Sequence, residues 1–225
     1  MGKGILWFGL SCIAFAGCLE SLPRYWLLEE DFFKLGKKEL FEQEKKTQMK
    51  SSSWKALVAE DLENPQYVVF TPLKELASLR SYPPVSGSKA PLLDSCLHFQ
   101  IFSLYELLEE CSLKAMETFS KSHPYYLYLL YEIMPASEAS FEEHLKLMAA
   151  RLKEKPEVNW RTWKVLLGGD VPKYLLCLSF STKEQLKEVK EEELFEELQI
   201  KEILRGKKRG WMKQAQELST LQEKD

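Results

Sequence analysis

Tyr125-Tyr126-Leu127-Tyr128-Leu129-Leu130-Tyr131, entered through His123-Pro124, is the most apolar piece of the chain beyond its N-terminus. Which secondary structure this stretch adopts decides the fold. Its apolar residues fall all round a 3.6-residue period rather than on one stripe, the pattern of a helix buried on every side. The stretch therefore reads as the central helix of a core. Its tyrosines carry an apolar ring and a polar tip, which also suits a partner groove or a membrane contact.

Working outward, apolar positions recur every three or four residues on both sides. Ile101, Leu104, Leu108, Cys111, Ala115 and Phe119 precede the stretch, and Phe141, Leu145, Met148 and Leu152 follow it. Both series read as one-sided helices. Ser140 with Glu143, and Ser181 with Glu184, have capping-box spacing, the second ahead of Leu186, Val189, Phe195, Leu198 and Leu204. Pro135, Pro156 and Gly168-Gly169 punctuate the helices.

Strand signals are few. Gln66–Phe70 is the best candidate, after an Asn64-Pro65 turn signal, and Thr71-Pro72 then supplies an N-cap and first residue for a short helix to about Arg80. Residues 81–91, rich in Pro and Ser, read as a loop. Tyr25 to Met49 reads as a charged amphipathic helix, closed by the linker Ser51-Ser52-Ser53. The expected fold class is mainly α: a helical domain with at most a short strand element, preceded by an N-terminal hydrophobic helix. The expected organisation is a targeting segment at 1–19, a charged helix and Ser-rich linker at 20–53, and a helical body at 54–225 with charged C-terminal helices.

Residues 5–19 form an apolar run with no charge, behind a head carrying Lys3. As a helix this run spans roughly 22 Å, short of the roughly 30 Å hydrocarbon core, so it fits a signal h-region better than a full span. Lys3 before the run, and Glu20, Glu29, Glu30 and Asp31 after it, place the head in the cytoplasm and the body outside. Ala16-Gly17-Cys18 puts two small residues before a cysteine, and here the segment resembles a bacterial lipoprotein signal. That resemblance implies lipidation at Cys18. Phe15 departs from the aliphatic residue usual in that motif. Lys3-Gly4 before the apolar helix also loosely resembles a type IV pilin or pseudopilin, although Gly9 stands where that family has glutamate.

Composition sets bounds on the rest. With 225 residues, 45% hydrophobic and 12% aromatic, the chain can bury a real core. A net charge of -3 from 31 basic and 34 acidic residues offers no general attraction for nucleic acid. Cys96, Cys111 and Cys177 read as buried free thiols, and no C-x-x-C or paired-histidine spacing among His98, His123 and His144 suggests a metal. No cofactor is indicated.

Motifs with catalytic overtones fail on context. Ser86 and Lys89 have S-x-x-K spacing, but so do Ser52 and Lys55, and neither pair has a helix to aim it. Gly168-Gly169-Asp170 lacks a preceding strand and reads as a helix C-cap. Glu191-Glu192-Glu193 and nearby lysines read as a solvated helix face. Arg205, Lys207, Lys208 and Arg209, with Trp211, form a basic turn that could meet a partner protein or anionic lipid. These readings converge on a membrane-tethered, non-catalytic lipoprotein of the bacterial envelope with a binding or assembly role. A pseudopilin-like component is the alternative, and an enzyme of unknown reaction the third. Expected partners are the membrane and another envelope protein, with no nucleic acid and no identifiable small-molecule substrate.

Overall fold

A computed structural model describes residues 23–51, 54–82, 91–113, 122–153, 159–168, 171–188, 200 and 202–220. In chain order the elements are β1 (Tyr25–Phe33), α1 (Lys38–Ser51), β2 (Leu57–Asp61), β3 (Gln66–Leu73), α2 (Pro91–Cys96) and β4 (Leu97–Leu107). They continue as β5 (Tyr125–Ile133), α3 (Glu138–Leu152), β6 (Asn159–Leu167), β7 (Lys173–Phe180), α4 (Lys183–Glu188) and β8 (Leu204–Gln214). The strands close into an antiparallel barrel in the order β1-β3-β2-β8-β5-β7-β6-β4.

The mainly α expectation is thus overturned, and the deciding stretch is β5. Tyr126 and Tyr128 point into the barrel, while Leu127, Leu129, Tyr131 and Ile133 point out beneath helix α3. A strand buried on both faces loses its polar alternation and becomes a continuous apolar run. Periodicity alone cannot separate such a run from a buried helix. Its tyrosines, which favour a pleated surface, are the signal that arbitrates.

The same reasoning explains the other corrections. Ile101 and Leu104 lie on β4, and Cys111 in a short 3-10 turn, so their spacing was not one helix. Ala115 and Phe119 lie outside the described residues. The stretch 25–49 is a strand followed by a helix, because Trp26, Leu27 and Leu28 are all buried within the sheet. Thr71-Pro72 belongs to β3, and the basic cluster belongs to strand β8 rather than to a turn. Gly168 ends β6, where a φ of +112° and a clash of any Cβ with Ser103 Oγ at 2.6 Å require glycine.

Other readings stand. Phe141, Leu145, Met148 and Leu152 form the buried stripe of α3, and Gln66–Phe70 is strand. Helix α3 starts at Glu138, so Ser140 lies inside it; α4 opens one residue later than expected, with Thr182 and Gln185 bonding reciprocally at 3.2 and 3.3 Å. Cys96, Cys111 and Cys177 are buried and free. Among the described residues no helix is long and apolar enough to cross a membrane. Residues 1–19, with Cys18, and the Ser86–Lys89 motif lie outside the described residues.

The element order contains a repeat that composition does not reveal. β1-α1-β2-β3-α2-β4 and β5-α3-β6-β7-α4-β8 are each a β-α-β-β-α-β unit with sheet order 4-1-3-2, the ferredoxin-like arrangement. β1 starts at Tyr25 and β5 at Tyr125; α1 starts at Lys38 and α3 at Glu138. Antiparallel pairing of β2 with β8 and of β4 with β6 joins the two half-sheets and closes the barrel. Apolar burial is divided among the barrel interior and an outer layer on each half. The interior holds Trp26, Leu28, Phe70, Tyr105, Trp163 and Met212. The C-terminal layer packs Leu129, Tyr131, Leu145, Trp160 and Tyr174, and the N-terminal layer packs Phe33, Phe41, Tyr67 and Leu97.

Candidate active site

Strand alternation turns Glu29 and Asp31 outward beneath α1 and turns Glu30 into the barrel. Helix α1 meets the sheet through positions four residues apart, Phe41, Lys45 and Met49, all buried. The middle of that stripe is a lysine. Lys45 Nζ lies 2.7 Å from Glu29 Oε1 and 2.8 Å from Asp31 Oδ2, and the side chains of all three are at most 1% exposed.

Two neighbours complete the cluster. Gln100, cross-strand partner of Asp31 on β4, donates from Nε2 to Asp31 Oδ1 and, at 3.2 Å, to Glu29 Oε1. Tyr82 donates its hydroxyl to Glu29 Oε2 at 2.9 Å. Two carboxylates against one ammonium leave a buried charge of -1 when all three are ionised. An unbalanced negative charge in a low-dielectric layer raises proton affinity. Burial accordingly pushes the Glu29 carboxyl up to about 7; Lys45 opposes this and Asp31 adds to it. Burial works against the charge of Lys45, but Glu29 and Asp31 outweigh it and hold the ammonium above the ordinary lysine value.

The cluster reaches solvent through Gln100. An open groove of about 280 Å³ beside it is lined by Asp94, Leu97, His98, Phe99, Gln100 and Phe102. Phe99 is 52% exposed and stacks on Phe32 with ring centroids 4.3 Å apart, so an aromatic face is held in place at the groove wall.

A smaller cavity of about 60 Å³ lies in the barrel, with Glu30, Tyr105, Tyr128 and Lys208 among its lining residues. Burial raises the Glu30 pKa; Lys208 Nζ, 3.8 Å away, opposes the shift. Tyr128 donates to Asp61 Oδ2 at 3.1 Å, and its ring occupies the space that a Cβ at Gly210 would need.

The basic cluster expected from the sequence is split by strand alternation. Lys208 turns to the barrel mouth, whereas Arg205, Lys207, Arg209 and Trp211 share the outer face. Arg209 lies over the Trp211 ring at 5.6 Å and Lys207 over Tyr131 at 5.7 Å. None of the five meets the Glu29 cluster. Glu29, Asp31 and Lys45 escaped the sequence reading because 25–49 read as one charged amphipathic helix, and Tyr82 and Gln100 belong to no motif. The available signal was the apolar Trp26-Leu27-Leu28 running straight into Glu29-Glu30-Asp31.

Burial also pushes the thiols of Cys111 and Cys177 up to about 11 and about 12, so neither is an activated nucleophile. Among the described residues no group of three or more His, Cys, Asp or Glu side chains is placed to hold a metal ion. The described residues do not fit a haem either. The C-terminal layer is filled by Leu129, Leu145, Trp160 and Tyr174, and the N-terminal layer by the charged cluster. His144 Nδ1 lies 2.6 Å from the Ser140 carbonyl of its own helix, rather than aimed into a slot.

No family model matches the chain, and no curated protein matches its sequence. Solved structures do match its shape. An anthrone oxidase-like protein aligns at 12% identity with TM-score 0.67, over 86% of this chain and 92% of its own. A provisionally assigned monooxygenase from Fusobacterium nucleatum aligns at 10% identity and TM-score 0.62, over 91% and 99%. A chlorite dismutase variant from Candidatus Nitrospira defluvii aligns at 11% identity and TM-score 0.53, over 89% and 95%. These likenesses show the fold: a barrel of the kind found in the three proteins above. The barrel overturns the expected helical body and, with it, the pilin-like alternative, and the enzyme descriptions of those neighbours run against the expected non-catalytic assembly role.

Proposed function

We propose that the chain is an oxidase- or monooxygenase-type enzyme. Its substrate is a small aromatic carbon acid bound in the groove over the N-terminal layer, and Glu29, buried behind Gln100, accepts the proton once that side chain moves aside. The observation that carries this reading is the buried Glu29-Asp31-Lys45 cluster with its excess negative charge, placed directly behind Gln100. A carboxylate poised to take a proton near pH 7 suits general-base work. The oxidase and monooxygenase descriptions of the structurally similar chains support the reaction type.

Removing a proton from a methylene conjugated with a carbonyl through an aromatic ring leaves a carbanion that dioxygen can oxidise. In the balanced reaction a methylene group and one dioxygen molecule give a carbonyl group and one water. Both C–H bonds of the methylene and the O–O bond break; one oxygen atom becomes the new carbonyl, and the other leaves as water with the two hydrogens. The substrate supplies all the electrons. Asp31 and Lys45 act as positioning residues, holding Glu29 by charge and hydrogen bonds. Tyr82, donating to Glu29 Oε2, fixes the second carboxylate oxygen.

Oxygen uptake with anthrone as the probe tests this reading. The wild type should consume one dioxygen per anthrone, and Glu29→Gln should lower the rate by about 10²- to 10⁴-fold, the usual contribution of a general base. No uptake by the wild type, or equal rates for both proteins, would refute the proposal. Export through residues 1–19 is proposed separately. Protease added to intact cells should reach the barrel, and protection until the cytoplasmic membrane is broken would refute export.

A further inference from the structure

We infer that the groove selects neutral hydroxyarenes, and that Gln100 reads the substrate hydroxyl as a hydrogen-bond donor. This rests on the groove being the substrate site. Ionised Glu29 and Asp31 can only accept hydrogen bonds, so the Gln100 amide must turn its nitrogen toward them. Both N–H groups are then committed, one to Glu29 Oε1 at 3.2 Å and one to Asp31 Oδ1. Held in that orientation, the amide turns its carbonyl oxygen away from the two carboxylates, toward the groove that Gln100 lines. An amide flip would set a carbonyl against two carboxylates.

Charge narrows the ligand further. Asp94 is a second acceptor on the groove wall, and the layer behind Gln100 holds two carboxylates against one lysine. A carboxylate or phenolate ligand meets repulsion there, whereas a neutral O–H meets an acceptor. Phe102, on the same face of β4 as Gln100, supplies flat apolar wall, and Phe99, stacked on Phe32, borders the groove from the other face of the strand. Planar aromatic area with one donating hydroxyl is the complement of this surface.

The test is binding to the full chain under argon, where no oxidation occurs, using 2-naphthol, 2-methoxynaphthalene and 2-naphthoate. The naphthol should bind about 10-fold more tightly than its methyl ether, as expected when a polar site group loses its partner in an open groove, and the naphthoate most weakly. Gln100→Met should abolish the naphthol preference, bringing the affinity ratio of naphthol to methyl ether to about one. Equal binding of naphthol and methyl ether by the wild type would overturn the inference. So would tighter binding of the naphthoate, a preference that survives in a folded Gln100→Met, or no binding of any probe at millimolar concentration. The wild-type ligand series decides the matter even if the variant fails to fold. Naphthol selectivity without anthrone oxidation would refute the oxidase reading and leave this inference standing; oxidation without selectivity would do the reverse.

Discussion

The N-terminal and C-terminal halves share one plan but fill their sheet–helix layers with opposite chemistry. β1 and β5 have the same sequence of buried and partly buried positions along nine residues. Where the first half places Glu29, Asp31 and Lys45, the second places Leu129, Tyr131 and Leu145 at the corresponding positions, and all six are buried. Around these layers the halves stay alike. Tyr67 donates to Glu42 of α1, and Tyr174 donates to Glu142 of α3. The ion pair of Lys38 with Glu60 is matched by Glu138 with Lys164 at equivalent places, with its charges exchanged. The same plan holds an apolar filling in the C-terminal half, which points to function rather than folding as the reason for the charged one.

The largest expected effect breaks the charged layer. Lys45→Met leaves Glu29 and Asp31 buried against each other and should destabilise by about 3 to 5 kcal/mol in urea unfolding. In the apolar layer Leu145→Ala should cost about 2 to 5 kcal/mol through lost burial and a cavity. A Lys45→Met variant as stable as the wild type would mean that the cluster is less sealed than its burial indicates.

Filling the N-terminal layer like its counterpart sharpens the comparison. The triple variant Glu29→Leu, Asp31→Tyr, Lys45→Leu should be neutral or up to about 4 kcal/mol more stable, since apolar replacement of a buried ion cluster removes its desolvation penalty. Oxidation of anthrone should disappear with it. A triple variant that fails to fold would show that the charges, rather than function, maintain this half.

Stability should also depend on pH through the charged half. Glu29 titrates at about 7 in the folded chain against 4.5 for an ordinary glutamate, so the native state binds the proton more tightly. Its contribution is full below about pH 4.5 and is lost as pH rises to about 7. The urea midpoint of the wild type should fall across that window, and that of Glu29→Gln should fall less. The smallest effects belong to the shared clasps: Tyr67→Phe and Tyr174→Phe should each cost about 1 kcal/mol. A much larger loss at one of them would break the equivalence of the halves.

Legibility in the sequence followed the same division. Helix α3 could be read because one face is buried against the sheet and the other is wet, which leaves a 3.6-residue stripe. β3 could be read from its turn signal and its run of β-favouring residues. β5 and β1 could not, since strands buried on two faces carry no alternation. In β4, Ile101 and Leu104 lie on opposite faces of one strand, yet their spacing of three imitates a helix. The repeat was equally hidden, because the two halves share a burial pattern rather than residues.

By itself the sequence determined that residues 125–131 belong to the core, that 141–152 carry a helical stripe, and that the cysteines sit in apolar surroundings. These properties follow from local composition and short-range spacing. Only the tertiary structure decided that the buried stretch is a strand, because ladder partners at Leu176 and Arg209 lie dozens of residues away. Only it decided, too, that Lys45 is a buried counter-ion rather than a solvated lysine. Closure of the barrel brings α1, β1 and β4 over one another, and the resulting burial turns three ordinary charges into a proton-binding cluster.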